Sequence, residues 1–214
     1  MSSFRAVAVL SVLALGVGLY FSIADFNASK VRLSPEKIEG FFWPNQKKLE
    51  PFAMVDSNGS PFTLAQLKGK WSFLFFGYTH CPDICPMTMQ IMRQSRMELV
   101  KSNPDFASKI NMTFVSVDGE RDTPEHLKNY LSFFGGGFTG ATGSEAQLQT
   151  LTGQMGVPYS IEPHQPEEKN YLVEHSGAVF LISPEGMLAS IYQPPITSEL
   201  IVNRFLQIDQ FMNQ

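Results

Sequence analysis

Cysteine and histidine, which supply many metal and redox sites, are scarce in this chain. Its 214 residues include two cysteines and four histidines. A single disulfide between Cys81 and Cys85 would close too short a loop to stabilise the fold much. A disulfide scaffold is therefore excluded, and we expect the two thiols to serve a chemical purpose.

An excess of positive charge is absent as well. The chain has 16 Lys and Arg residues against 20 Asp and Glu residues, a formal net charge of −4. This balance argues against nucleic acid as a partner. The sequence also has no internal repeat and no low-complexity tract. Three glycines at 135–137 lack the Lys-Ser/Thr pair and the following helix of a phosphate-binding loop, so they indicate a turn.

One long segment, residues 6–24, has no charged residue and follows a five-residue tail whose only charged side chain is Arg5. As a helix it would measure about 28 Å, close to the roughly 30 Å hydrocarbon core of a bilayer. We predict a single-pass anchor in a bacterial inner membrane, with residues 1–5 cytoplasmic, since a mitochondrial transit peptide would be longer and richer in arginine. The alternative is a cleaved signal peptide ending at residues 22–24. Either way, we expect the main domain in the periplasm.

The exported part divides into a linker at residues 25–46, where no periodicity is sustained, and one domain at residues 47–214. The aromatic residues at 41–43 are expected to cap the core. Alternating apolar runs, turn signals and helix caps predict an α/β fold with a mixed central sheet flanked by helices. The predicted strands are residues 52–56, 61–63, 71–76, 112–117, 177–183 and 187–192, and the predicted helices begin at or beside Ile84, Pro124, Ser144 and Thr197.

Cys81 and Cys85 follow the apolar strand predicted at 71–76, where a helix is expected to start. Residues four apart on one helical turn have Cα atoms about 6 Å apart. That separation suits a shared metal ion and equally permits a disulfide. Two buried cysteines acting as small apolar side chains are the third interpretation. The position before a helix favours a reactive site, because a helix N-terminus stabilises thiolate over thiol.

A Gly-Lys before a buried strand, followed by cysteines at a helix start, resembles the thioredoxin fold. Thioredoxin-like oxidoreductases, however, have two residues between their cysteines and a cis-proline loop facing them. Here three residues intervene, and the facing stretch, residues 171–177, contains His175 and no proline. Two thiolates and one imidazole suit copper, because sulfur holds Cu(I) and the nitrogen extends the site to Cu(II). Zinc would accept the same ligands.

Three segments resemble the Sco/SenC family. They are the cysteine motif Tyr-Thr-His-Cys-Pro-Asp-Ile-Cys-Pro at 78–86, the acidic segment Ser-Val-Asp-Gly-Glu-Arg-Asp-Thr-Pro at 116–124, and the histidine region, with Glu-His-Ser at 174–176 and Pro-Glu-Gly at 184–186. The resemblance implies a membrane-anchored, thioredoxin-like copper chaperone. Its ligands would be Cys81, Cys85 and His175, and its recipient the copper-bearing subunit of cytochrome c oxidase. Gly119 and Glu174 depart from the family's usual proline and aspartate, and neither is an implied ligand.

The same residues leave other functions open. A thiol–disulfide oxidoreductase would use Cys81 and Cys85 as its redox pair and keep the cysteines of the oxidase subunit reduced. A redox or copper sensor would differ only in its downstream partner. Further expected partners are other copper chaperones, thioredoxin-like reductants, and the membrane through the anchor.

The remaining candidates have simpler interpretations. His80 adjoins Cys81 but is expected to point away from it, and His126 and His164 are predicted to be solvated. The methionines after the cysteines have the spacing of ordinary helix packing: Met87, Met89, Met92 and Met97. Three acidic residues suit either a partner contact or a capped helix start: Asp118, Glu120 and Asp122.

Overall fold

The computed structural model of the protein describes residue 42, residues 46–165 and residues 167–213. The predicted anchor at 6–24, the tail at 1–5 and nearly all of the predicted linker lie outside the described residues. Among the helices of the described residues, none combines the length and the apolar character that a membrane crossing needs.

Strands and helices alternate through the middle of the chain, as the sequence pattern predicts. Over the described residues, the strands are β1 Lys47–Lys48, β2 Ala53–Asp56, β3 Pro61–Thr63, β4 Trp71–Gly77, β5 Ile110–Ser116, β6 Phe138–Thr142, β7 Tyr159–Ile161, β8 Val173–His175, β9 Val179–Ile182 and β10 Met187–Tyr192. The helices are α1 Leu64–Leu67, α2 Ile84–Ser102, α3 Phe106–Lys109, α4 Pro124–Ser132, α5 Glu145–Met155 and α6 Ser198–Met212. Each predicted strand and helix is present, with its ends shifted by a few residues.

The main sheet is mixed, which confirms the predicted fold class. Its eight strands lie in the order β1-β10-β9-β4-β5-β6-β2-β3. The pairs β4–β5 and β5–β6 are parallel, and the hairpin pairs β2–β3 and β9–β10 are antiparallel. Strand β4 lies between β5 and β9, and every residue in it is buried. A strand covered on both faces needs an apolar run, which is what its sequence supplies.

Helices α4 and α6 begin where a threonine side chain accepts a hydrogen bond from an amide of the first turn. The Thr123 side chain accepts a hydrogen bond from the His126 amide, and Pro124 occupies the first turn of α4. The Thr197 side chain caps α6 in the same way, by accepting from the Leu200 amide. Proline at a helix start loses nothing, because its missing N–H would have had no partner there.

The sequence pattern missed β6 and did not indicate how β7 and β8 are arranged. Strand β6 contains Gly140, and a Cβ there would lie 2.8 Å from Leu131 Cδ1. Glycine therefore serves close packing of α4 on the sheet, although glycine in a sequence argues against a strand. Strands β7 and β8 form a separate two-stranded antiparallel sheet, in which Tyr159 is paired with His175. The predicted histidine thus lies outside the main sheet.

An aromatic cluster fills the core near the start of β4. The ring of Phe205 on α6 lies 5.7 Å from Trp71, 5.3 Å from Phe73 and 5.4 Å from Phe106, measured between ring centroids. Nearby, Phe42 is buried and its ring lies 5.7 Å from that of Phe211. The packing of Phe42 agrees with the aromatic cap predicted for this segment.

Candidate metal centre

The three predicted ligands come from three segments and meet at one point. Cys81 lies in the loop after β4, Cys85 in the first turn of α2, and His175 at the end of β8. Their ligand atoms all lie within 4.8 Å of one another. The Cys85 Sγ to His175 Nε2 distance is 3.2 Å, and the Cys85 amide donates a hydrogen bond to Cys81 Sγ over 3.4 Å. Such a compact set of two sulfurs and one nitrogen suits a single soft metal ion.

Gly77 provides the space in which the Cys85 sulfur lies. A Cβ at this position would be 2.6 Å from Cys85 Sγ and 3.0 Å from Phe114 Cε2. Any side chain at position 77 would therefore displace the sulfur or the ring. The last residue of β4 is glycine because the buried thiol occupies the place of a side chain.

The pKa values of the two thiols are shifted in opposite directions. A hydrogen bond from the Cys85 thiol, partly opposed by burial, lowers the pKa of Cys81 to about 3. The same hydrogen bond, together with burial, raises the pKa of Cys85 well above its usual range. Cys81 is 9% exposed and Cys85 fully buried, so the thiolate forms on the side nearer to water. Cys81 is therefore the more acidic thiol of the pair.

His175 is oriented by its backbone neighbour and by two aromatic rings. Its Nδ1 lies 3.1 Å from the carbonyl oxygen of Ser176, which can only accept. The neutral ring therefore carries its proton on Nδ1 and turns the lone pair of Nε2 toward the sulfurs. The rings of Phe75 and Tyr78 meet the imidazole edge-on, with centroids 5.9 Å and 5.7 Å away.

Asp122 fixes the loop that carries Cys81. Its buried carboxylate accepts hydrogen bonds from the Thr79 amide at 2.8 Å, the Thr79 hydroxyl at 2.6 Å and the Ser116 hydroxyl. The loops after the parallel strands β4 and β5 are joined in this way. Of the two interpretations of this acidic residue, the structure favours a role within the fold.

The sequence did not predict a buried ion pair between Asp118 and Arg121. The guanidinium Nε donates to Asp118, and both side chains are almost fully buried. Tyr171 adds a hydrogen bond from its hydroxyl to Asp118 over 2.8 Å. Charged residues on a turn are usually exposed, so only their spacing of three positions could have suggested the pair.

A cavity of about 310 Å³ lies against His175 and is lined by Pro158, Tyr159, Ser160, Glu174 and Ser176 in addition to the histidine. The site is thus close to the surface on its histidine side. Access of this kind is what exchange of a ligand or a metal ion with another molecule requires.

The sequence matches a known protein family. A family model described as SCO1/SenC matches residues 44–208. The chain belongs to the SCO1/SenC family. A Stutzerimonas stutzeri protein named for copper binding is 38% identical to this SCO1/SenC chain over 153 residues, which cover 72% of each. The predicted family is therefore confirmed.

Solved Sco structures share the fold. ScoI of Arabidopsis thaliana, with copper bound, is 29% identical and has a TM-score of 0.68 over 75% of this chain and 98% of that chain. BsSco, a member of the Sco family of cytochrome c oxidase assembly proteins, is 21% identical, with a TM-score of 0.60 over 80% of this chain and 98% of that chain. The thioredoxin-like α/β prediction is confirmed for this SCO1/SenC protein.

The other histidines of the SCO1/SenC chain lie outside the ligand group, and one prediction about them was wrong. His80 is exposed and lies 3.2 Å from the Thr79 hydroxyl through Nδ1, away from the sulfurs. His126 is exposed, as predicted. His164 is not solvated, because its side chain is only 11% exposed. Its ring stacks on Tyr171 at 3.6 Å, a contact between distant parts of the chain that local sequence does not reveal.

The methionines divide into two pairs. Met89 and Met92 are fully buried, as packing predicted, whereas Met87 and Met97 are 55% and 56% exposed. The prediction of packing was therefore wrong for the second pair. Met87 lies two residues before Met89, and Met97 lies five residues after Met92. Residues at these separations point to different faces of a helix.

Proposed function

We propose that this SCO1/SenC protein is a copper metallochaperone. Cys81, Cys85 and His175 would bind one copper ion, which the protein would deliver to the dinuclear copper site of cytochrome c oxidase through its copper-bearing subunit. The observation that carries the proposal is the convergence of the three ligand atoms within 4.8 Å. The copper-bound relative and the assembly role of the Sco family support the choice of metal and recipient.

The ligand set suits a cargo that changes oxidation state. Two thiolates satisfy Cu(I), which prefers soft ligands, and the imidazole adds the nitrogen that Cu(II) favours. In the neutral histidine, Nε2 already points its lone pair at the sulfurs, so binding requires no change of tautomer. On binding, the Cys85 thiol gives up its proton, which makes uptake dependent on pH.

The first test removes the histidine. His175→Ala should weaken Cu(II) binding at least about 100-fold, because even the partners of metal ligands are worth 10–100-fold in affinity. Cu(I) should remain with the two thiolates. We would measure the stoichiometry and affinity of each ion on fully reduced protein, together with thiolate-to-copper absorption.

His126→Ala is the matched control, since that ring is exposed and outside the ligand group. It should bind both ions as the wild type does. Equal losses of affinity for Cu(I) and Cu(II) in His175→Ala would contradict this division of roles. A wild-type protein that fails to bind copper would contradict the proposal itself.

The second candidate is a thiol–disulfide oxidoreductase, with a redox sensor as its variant. The low pKa of Cys81 beside a protonated Cys85 favours it, because a thiolate attacks disulfides and the fully buried partner resolves the product. Cys85→Ser should then accumulate a mixed disulfide when the metal-free oxidase subunit is supplied with its cysteines as a disulfide, because the Cys81 thiolate attacks one sulfur of that disulfide and the other leaves as a thiolate. If no adduct forms while copper transfer proceeds, the metallochaperone alone remains.

We also propose that residues 6–24 anchor the protein in the bacterial inner membrane, that residues 25–46 are a linker, and that residues 47–214 form the copper-binding domain in the periplasm. The apolar run and the domain-sized remainder of the sequence support this arrangement. Extraction with alkaline carbonate should leave the protein in the membrane fraction. Protease added to spheroplasts should digest the domain, whereas a soluble protein or a protected domain would contradict the arrangement.

A further inference from the structure

Arg121 is a buried charge with no place in the ligand group. Its side chain is 3% exposed, and that of its partner Asp118 is fully buried. Its Nη2 is buried without a hydrogen-bond partner among the described residues. Such an ion pair is a weak source of stability, because taking two charges out of water costs as much as their attraction returns. The guanidinium instead connects segments of the chain that are distant in sequence.

One side of the guanidinium is bonded to the segment that leads into His175. Arg121 Nη1 donates to the carbonyl oxygens of Lys169 at 3.0 Å and Tyr171 at 2.9 Å. The guanidinium carbon also lies 3.5 Å from the centroid of the Tyr171 ring. His164 stacks on the same ring at 3.6 Å. Two groups so close to one centroid must lie on opposite faces, so the ring is held between them.

The guanidinium also faces the segment that carries the cysteines. Its central carbon lies 5.4 Å from the ring centroid of Tyr78. The Tyr78 ring meets the His175 imidazole edge-on, and the Tyr78 carbonyl accepts from the Cys81 amide over 3.3 Å. One side chain therefore contacts both segments that supply ligands.

The histidine segment depends on such a connection because it is not a strand of the main sheet. Strands β7 and β8 pair only with each other in the ladders of the described residues. Among the polar contacts that join residues 159–175 to the body, two are exposed to water. They join the Tyr159 hydroxyl to Glu145 at 2.8 Å and His164 to Glu120 at 3.0 Å.

We propose that Arg121 is a positioning residue of the metal centre, whose guanidinium holds the histidine-bearing segment against the cysteine-bearing segment and so sets the distance from His175 to the two thiols. Asp118 orients the guanidinium, and Tyr171 is the surface on which it stacks. The geometric part of this proposal concerns the metal-free protein. Only its consequence for Cu(II) rests on the proposed function.

Arg121→Lys keeps the positive charge but loses the planar, forked guanidinium. The compact ammonium of lysine cannot bridge Asp118 and the two carbonyl oxygens at once. Arg121→Gln removes the charge as well. Arg93→Gln is the matched control, because Arg93 is exposed on α2. Ile208→Val controls for lost stability, because it removes one methyl group from the core on α6 and lies outside the group of proposed ligands.

The metal-free measurement is the ¹⁵N spectrum of labelled histidine, with the His175 signals assigned by their absence from His175→Ala. Wild type should show a single tautomer with the proton on Nδ1. Both Arg121 variants should shift the Nε2 signal of His175, because the distance from that nitrogen to the Cys85 sulfur changes, and both controls should leave it in place. If the Arg121 variants do not fold, Tyr171→Leu removes the stacking surface, leaves both carbonyl bonds, and should give the same shift.

The copper measurement follows from the same geometry. We expect Arg121→Lys to weaken Cu(II) about 10–100-fold, the range for residues that orient a ligand, and to change Cu(I) affinity less than about threefold. Unchanged His175 signals and unchanged Cu(II) affinity would overturn the positioning role. Wild-type protein that binds no copper would instead overturn the proposed function, while the spectra would still decide the role of Arg121.

Discussion

At the scale of single residues, the two thiols of the centre differ in exposure and in their roles in the hydrogen bond between them. The Cys85 thiol donates to Cys81 and lowers the pKa of Cys81 to about 3. An ordinary thiol has a pKa of about 8.5 and is barely ionised at pH 5. Cys81 should therefore already be a thiolate in mildly acidic solution, where other thiols are inert.

We predict that alkylation of Cys81 by iodoacetamide in the metal-free protein has a nearly constant rate from pH 5 to pH 8. A normal thiol would react about tenfold faster with each pH unit over that range. Mass spectrometry of the modified peptide gives the rate. In Cys85→Ala the donor is missing, so the dependence on pH should return. A tenfold rise per unit in the wild type would contradict the lowered pKa.

The same pKa affects folding stability with a definite sign. Because the folded pKa lies below the unfolded one, this thiolate stabilises the fold fully above the unfolded pKa of about 8.5 and loses its contribution as the pH falls toward 3. Cys85, whose folded pKa is raised, acts in the opposite sense at alkaline pH. The metal-free protein should therefore gain stability from these two groups as the pH rises toward 8.

The sequence indicated the three proposed ligands but not the residues that position them. Cys81 and Cys85 were predictable from their spacing at a helix start, and His175 from the stretch that faces the cysteines in a thioredoxin-like fold and from the resemblance to the Sco/SenC family. Arg121 and Tyr171 were not, since a charge and a tyrosine on turns are ordinary surface residues. Their contact spans 50 positions of the chain, and a single sequence carries no signal for such a pair.

At the scale of elements, Asp122 joins the loops after β4 and β5. Asp122→Ala leaves two hydroxyls and one amide without their acceptor, so we expect the free energy of unfolding to fall by about 2–4 kcal/mol. Asp105→Ala is the control. That residue makes an exposed ion pair with Lys109, and its loss should cost less than about 1 kcal/mol. Urea unfolding measures both, and equal losses would contradict the anchoring role.

Elements with a strong local signal were predictable, and those defined by distant contacts were not. An apolar run indicates strand β4. A proline in the first turn indicates the start of α4, and a capping threonine indicates the start of α6. Strand β6 contains glycine because helix α4 packs closely against it. The pairing of β7 with β8 brings Tyr159 opposite His175, and nothing near either residue indicates the other.

At the scale of the whole molecule, the aromatic cluster and the metal centre lie at opposite ends of β4. The strand runs from Trp71 to Gly77, a length of roughly 20 Å. Phe205→Ala should lower the free energy of unfolding by about 3–5 kcal/mol, because it removes a fully buried ring. Copper affinity of the folded protein should stay unchanged. Parallel urea and copper titrations test this separation, and a large loss of affinity would contradict it.

The ligands also appear at different times during synthesis. Cys85 and His175 are separated by 90 positions, which a ribosome making about 5–20 residues per second covers in roughly 5–18 s. For that interval the nascent chain has both thiols but not the imidazole, the β7–β8 pairing or the Tyr171 stack. The complete centre can form only after translation has passed His175, so its assembly reports that the domain has been made as far as the start of β9.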